Sequence, residues 1–402
     1  MEFFNGILSI HGVSFLMVSV IAIAALGYIL GRITIKGVSL GTAGVFIVAL
    51  IYGCIFYKDL SNEINTDFVT NALKIVDNLG LILFVTAVGF IAGPNFFGNF
   101  KKNFKSYVVL AVIIILSGGL ACAGCIFVGR NFTDLSNDEF TAMLTGILSG
   151  ALTSTPGFSA AKDAVGTEDL QSIVSVGYAI AYIFGVIGVV LFVQIIPKIL
   201  KADMKAEREK LVVADSKSGK KAYNGKLIEM DDFGIMPFAL AAVIGIVIGS
   251  FKFKNFSLST TGGCLLVSLI FGHFGRCGKI SIMPKDSTLK VFRELGLMFF
   301  LIGAGVAGGA KFVQYFDAIY FIYGIIMTLV PMILGFLFAK YVLKLSLFNN
   351  LGSLTGGMTS TPALGTLIST SGTENVASAY AATYPVALIS VVLVSQFLIM
   401  LF

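Results

Sequence analysis

The chain has no tryptophan, and only 12% of its 402 residues are charged, against 56% hydrophobic. A water-soluble domain carries roughly twice that charged fraction, so the shortage excludes a soluble globular protein. The lack of Trp leaves Phe (36) and Tyr (13) to supply any aromatic belt at a membrane surface. The scarce charge is also confined. Runs such as Val13 to Leu30, Tyr107 to Val128, Ile173 to Pro197 and Val376 to Phe402 carry none over about 18 residues or more, the length that crosses hydrocarbon. The chain reads as an all-α integral membrane protein whose first partner is the lipid bilayer. No basic flank precedes the first apolar run, so that run reads as a span and not as a cleavable signal peptide.

Three further absences narrow the class. Twelve apolar segments are expected, and none holds an Asp, Glu, Lys or Arg away from its ends; the two imidazoles, His11 and His273, also sit near ends. Ionisable groups at membrane depth mark proton relays and cation sites. Their absence argues against a proton pump or a cation/proton antiporter. No nucleophile–base pair or paired carboxylates lie at that depth either, so an enzyme is the remotest reading and no catalytic residue is assigned. Five cysteines give no metal-ligand set. Cys122-Ala-Gly-Cys125 has redox spacing, but it lies mid-span with no second pair and reads as packing; no metal or cofactor is expected. The net charge of +6 sits in short loops. It is a topology signal, not a nucleic-acid footprint.

What is present is a duplication. Thr-Ser-Thr-Pro occurs at Thr153–Pro156 and again at Thr359–Pro362, each copy inside an apolar stretch. Other blocks repeat in the same order: Ser39-Leu40-Gly41-Thr42 with Ser257-Leu258-Ser259-Thr260 (257 − 39 = 218), Leu79-Gly80-Leu81 with Leu295-Gly296-Leu297 (295 − 79 = 216) and Tyr178…Tyr182 with Tyr380…Tyr384 (380 − 178 = 202). The organisation expected is a first membrane repeat over 1–198, a hydrophilic linker over 199–232 and a second membrane repeat over 233–402. The linker is Lys-rich and carries Gly219 and Gly225 with Ser216 and Ser218, the composition of a mobile tether.

Charge decides how the halves run, because Lys and Arg collect in cytoplasmic loops. With the linker inside, the loops on both sides of the first Thr-Ser-Thr-Pro segment are net acidic and read as outside, so that segment enters and leaves on one face. Arg32, Lys36, Lys101, Lys102 and Lys105 read inside, as do Arg276, Lys279, Lys285, Lys290, Arg293, Lys340 and Lys344; only Lys252 and Lys254 disagree. The expected fold is two inverted repeats, each of five transmembrane helices plus one re-entrant broken-helix hairpin, with both termini extracytoplasmic.

Pro breaks a helix in its middle but suits the first turn of a new one, where Ser or Thr is a preferred cap. Thr155 and Thr361 are expected to cap helices that begin at Pro156 and Pro362. Gly150 and Gly356 would let the incoming half-helix end and the backbones approach. Such a helix start is a ready anion site, and two of them, one from each face, would meet at mid-membrane. The expected substrate-binding residues are Gly150, Thr153, Ser154, Thr155 and Pro156 with Gly356, Thr359, Ser360, Thr361 and Pro362, cradling a small carboxylate-bearing solute without a basic side chain. The bland reading is that Pro and Ser/Thr only kink ordinary spans. Tyr178, Tyr182, Tyr380 and Tyr384 pair at helical spacing; they read either as interhelical glue or as a layer around the hairpin tips. Lys162 and Asp163 read as a pair at the rim.

The blocks Gly-Ala-Leu-Thr-Ser-Thr-Pro-Gly (150–157) and Gly-Gly-Met-Thr-Ser-Thr-Pro-Ala-Leu-Gly (356–365), with Gly-Tyr-Ala-Ile-Ala-Tyr (177–182), resemble the aspartate:alanine exchanger family across both halves. The resemblance implies amino-acid exchange by alternating access across a bacterial plasma membrane; a homodimer is expected by analogy. Two features depart from the family's pattern: the linker has no room for the regulatory domains many members carry there, and Ile183, not Pro, follows Tyr182. A sodium-coupled glutamate or dicarboxylate symporter and a channel are the alternatives.

Overall fold

The computed structural model describes residues 2–3, 8–9, 12–35, 38–39, 42–96, 104–211, 227–253, 256–257 and 259–402. The readings placed on His11, Lys36, Leu40, Gly41, Lys101, Lys102, Lys254, Leu258 and the middle of the linker lie outside the described residues. The described chain is nearly all helical: α1 (Gly12–Arg32), α2 (Ala43–Ile64), α3 (Thr66–Phe96), α4 (Phe104–Gly129), α5 (Asn137–Ala151), α6 (Thr155–Ala164), α7 (Glu168–Ile199), α8 (Met204–Glu209), α9 (Ile235–Ser250), α10 (Ser259–Phe274), α11 (Asp286–Tyr315), α12 (Ile319–Leu337), α13 (Leu347–Gly357), α14 (Thr361–Ser371) and α15 (Ala377–Leu401). Four antiparallel pairs of two-residue strands complete it.

Eight helices, α1, α2, α3, α4, α7, α11, α12 and α15, are long and apolar enough to cross a membrane. The apolar α9 and α10 have 16 residues each, about 24 Å of helix, less than the ~30 Å of a hydrocarbon core. The apolar stretches at 140–161 and 345–371 are not continuous helices; each is broken in two.

Lipid offers helices no hydrophobic reason to associate, so close packing has to come from small residues. Gly80 of α3 and Gly296 of α11, counterparts in the duplication, face each other. A Cβ on Gly80 would meet Gly296 O and Phe300 N, and one on Gly296 would meet Gly80 O and Phe84 N. Further along, Gly303 lies against Leu73 and Asp77. The contacts advance along one chain as they retreat along the other, so these counterpart helices run antiparallel. The rest of the packing repeats in pairs: Gly27 and Gly44 lock α1 to α2 as Gly245 and Gly263 lock α9 to α10, and Gly53–Gly309 joins α2 to α11 as Gly272–Gly93 joins α10 to α3.

The broken helices pack differently. Gly146 lies against Val174, Gly150 against Tyr178, and Gly185 against Gly150 and Ala151. Here both chains advance together, so α5 and α7 run parallel. Between them α6 must carry the chain back to the level where α5 began. Gly352 against Val376 and Gly356 against Tyr380 repeat the arrangement for α13 and α15.

Candidate functional site

Both breaks have the same local construction. At the end of α5, Ser154 N donates to Ser149 O (2.8 Å) and Thr153 N to Gly150 O (2.9 Å), the paired bonds of a Schellman stop. At the end of α13, Ser360 N donates to Thr355 O (2.9 Å) and Thr359 N to Gly356 O (3.1 Å). This stop needs a left-handed residue, normally Gly. Here it is a threonine both times, with φ 52° at Thr153 and 51° at Thr359. A β-branched residue there is strained, at about 1–2 kcal/mol. The next helix starts one residue earlier than expected. Ser154, not Thr155, is the cap of α6, its hydroxyl accepting from Gly157 N at 3.2 Å. Ser360 holds the cap position of α14 without a side-chain cap bond, and its buried hydroxyl has no partner in the structure. Thr155 and Thr361 are therefore first helical residues, and Pro156 and Pro362 second ones.

The strain at the two threonines comes with reciprocal bonds. Thr153 Oγ1 donates to Met358 O (3.0 Å), and Thr359 Oγ1 donates to Leu152 O (2.8 Å). Each hydroxyl satisfies a carbonyl at the end of the other half-helix, so the two breaks touch tip to tip.

A cavity of about 690 Å³ opens beside them, in the size range of small-ligand sites. Its walls include Thr153, Thr155, Pro156, Thr359, Thr361 and Pro362, so both helix starts face one space. Tyr182, Tyr380 and Tyr384 also line it, and the Thr361 and Tyr380 hydroxyls lie 3.2 Å apart. Four residues expected at the site, and Tyr178 of the duplicated tyrosines, do not line it. Ser154 and Ser360 are fully buried at the breaks. Gly150 and Gly356 pack against the backbones of α7 and α15. Tyr178 is fully buried, its ring stacked on Phe158 at 4.1 Å.

The cavity wall also carries charge. Arg32, Arg293 and Glu294 line the same cavity; Lys290 and Arg293, assigned above to a loop, lie in the first turns of α11. Lys162, read above as a rim residue, points inward. It forms an ion pair with Asp77 of α3, both side chains nearly buried (11% and 12% exposed). Lys162 Nζ also lies over the rings of Phe158 (5.6 Å) and Phe300 (5.9 Å). Asp163 accepts from Thr261 Oγ1 at 3.3 Å. The repeat itself carries a signal for these charges: Asp77 and Arg293 are counterparts (293 − 77 = 216), each two residues ahead of a Leu-Gly-Leu block.

The two hairpins are held unequally. α6 is buried from Thr155 to Lys162 and tied to α10 through Ser159 and Thr261, 2.7 Å apart. The counterpart of Ser159 in α14 is Gly365 (365 − 159 = 206), and a Cβ there would meet nothing within 4 Å. A second, smaller cavity of about 210 Å³ lies at the other end of α3 and α11. Its lining carries both members of three ion pairs, Lys74–Glu168, Lys162–Asp77 and Lys311–Asp169, which join α3 and α11 to α6 and α7.

A family described as a predicted permease membrane region matches residues 19–198 and 237–400. An uncharacterized transporter of Bacteroides fragilis is 25% identical, with 94% of this chain and 97% of the relative covered. One of Desulfotalea psychrophila is 22% identical over 94% and 95%. Another, of Bacteroides thetaiotaomicron, is 34% identical over 47% of this chain and 32% of the relative. The first alignment runs over 541 positions against 402 residues here, so that relative carries residues with no counterpart in this chain.

Proposed function

From the premise that the chain belongs to the aspartate:alanine exchanger family of permeases and is a multi-pass membrane transporter, we propose that it exchanges small carboxylate-bearing solutes, amino acids among them, by alternating access. One observation carries the reading: two broken helices from the two halves meet tip to tip, and both of their starts face one cavity. A helix start offers unpaired N–H groups and roughly half a positive charge, which favours a carboxylate. The binding residues in this reading are Thr153, Thr155, Pro156, Thr359, Thr361 and Pro362, with Tyr182, Tyr380 and Tyr384 around them. Gly150, Ser154, Gly356 and Ser360 build the breaks, Tyr178 packs on Phe158 of α6, and none of the five touches the solute.

The antiparallel packing of the counterparts α3 and α11 supports inverted repeats. The parallel packing of α5 on α7 and α13 on α15 supports two re-entrant hairpins. In this reading the large cavity opens to the cytoplasmic face of a bacterial plasma membrane, where the charge pattern puts Arg32 and Arg293; the termini are extracytoplasmic and the protein forms a homodimer. The unequal hairpins suit one of two mirror states. The first hairpin is docked on α10 and its vestibule narrowed by three ion pairs, while the second is less buried and has open space at Gly365. Exchanging these roles would close the large cavity and open the small one.

The test is counterflow in proteoliposomes with a panel of labelled amino and dicarboxylic acids. Thr155→Ala and Thr361→Ala are expected to abolish exchange while eluting as folded protein. Uptake at the wild-type rate in both variants removes the site assignment, and single-channel currents without counterflow remove the exchanger.

A further inference from the structure

The duplication places Asp77 and Arg293 at one structural position, yet their charges are met differently. Asp77 is met by Lys162, which the first hairpin brings on α6. The residue at the place of Lys162 in the second hairpin is Ile368 (368 − 162 = 206), and α14, Thr361–Ser371, contains no charged residue at all. The second hairpin therefore brings Arg293 no acid. The acid it has is its own chain neighbour: Arg293 Nη2 and Nε lie 2.8 and 3.3 Å from Glu294 Oε1. Both side chains are more than a third exposed (39% and 45%), where an ion pair contributes little. Arg293 and Glu294 line the same cavity as Thr361, Pro362, Tyr380 and Tyr384.

We propose that Arg293 is the specificity-determining residue that takes a second carboxylate on the cargo, and that Glu294 holds the guanidinium between turnovers. The inference rests on the exchanger reading. Its chemistry follows from the two kinds of anion anchor in the cavity. A helix start carries a partial charge and suits a carboxylate of any solute. A guanidinium offers a planar fork that matches a carboxylate with two parallel bonds. A solute with two carboxylates engages both anchors; one with a single carboxylate engages one. The incoming side-chain carboxylate takes the place of Glu294 on the fork, and Glu294 returns to it when the cargo leaves.

The experiment uses the full chain in proteoliposomes, with labelled aspartate as the two-carboxylate probe and labelled alanine as the one-carboxylate probe. Charge-assisted bonds of this kind correspond to a loss on the order of 10- to 100-fold when removed. Arg293→Gln is expected to raise the half-saturating aspartate concentration by about that factor while alanine shifts far less, so the preference between the probes collapses. Arg293→Lys, which keeps the charge but not the fork, is expected to recover part of the aspartate affinity. Equal shifts for both probes, no shift for aspartate, or the same collapse in Arg32→Gln overturns the assignment. Should Arg293→Gln fail to fold, Arg293→Lys decides by the same comparison. A wild-type protein that moves neither probe sinks the exchanger reading itself, an outcome distinct from a failure confined to Arg293.

Discussion

The buried pair Lys162–Asp77 makes the sharpest prediction about how the protein moves. It joins the first hairpin to α3 among fully buried neighbours such as Phe158 and Phe300. Asp77 Oδ1 already lacks a partner. Replacing Lys162 by Met therefore strands both carboxylate oxygens, and a buried charge so abandoned costs about 3–5 kcal/mol. In the alternating-access reading that cost falls on the conformation in which α6 is docked. At about 1.4 kcal/mol per tenfold, the balance moves toward the alternate state by on the order of 10²–10³. Removing both charges together, as Asp77→Leu with Lys162→Met, is expected to be near neutral or stabilising, since two matched apolar groups replace a desolvated pair. The reporter is a cysteine at Ser172, which lines the small cavity, in a background without the native cysteines. Its labelling by a membrane-impermeant maleimide should be slow in the parent, fast in either single variant and slow again in the double. Single variants that label at the parent rate, or a double variant that labels like the singles, would refute the argument. Thermal melting of each variant separates a shifted conformation from a damaged fold.

Two more tests probe the same geometry. Gly365→Leu enters open space, so it should melt within a degree or two of wild type yet stop exchange, because the second hairpin can no longer dock as the first does; exchange at the wild-type rate counts against a swap of hairpin roles. Thr153→Val keeps the strained left-handed backbone and loses the bond to Met358 O, removing about 0.5–1.5 kcal/mol and lowering the melting temperature. Thr153→Gly loses the same bond but relieves the strain, so it should melt above Thr153→Val; the reverse order contradicts the strain at Thr153.

Much of this site is legible in the sequence because membrane chemistry narrows the choices. An apolar stretch interrupted by Thr-Ser-Thr-Pro is a candidate break, and its duplication at matching positions draws attention to both copies. The capping residue was not legible: Ser and Thr are both favoured caps, and only the Schellman bonds at Ser154 and Ser360 settle the register. The charges escaped for another reason. Asp77 and Arg293 each lie two residues ahead of a Leu-Gly-Leu block, and Lys162 one residue beyond the apolar stretch at 140–161. Their burial or their place on the cavity wall follows from helices longer than the apolar core: α3 runs 31 residues and α11 runs 30. The pairing of Asp77 with a lysine 85 residues away arises from the return of α6 against α3, which no local pattern encodes.

The reciprocal threonine bonds have a mechanical consequence. Each hairpin tip is fastened to the backbone of the other, and the fastening is the same viewed from either side. Neither tip can withdraw alone without tearing both bonds at once. In the alternating-access reading the pair would act as a shared fulcrum about which the surrounding wall of helices tilts.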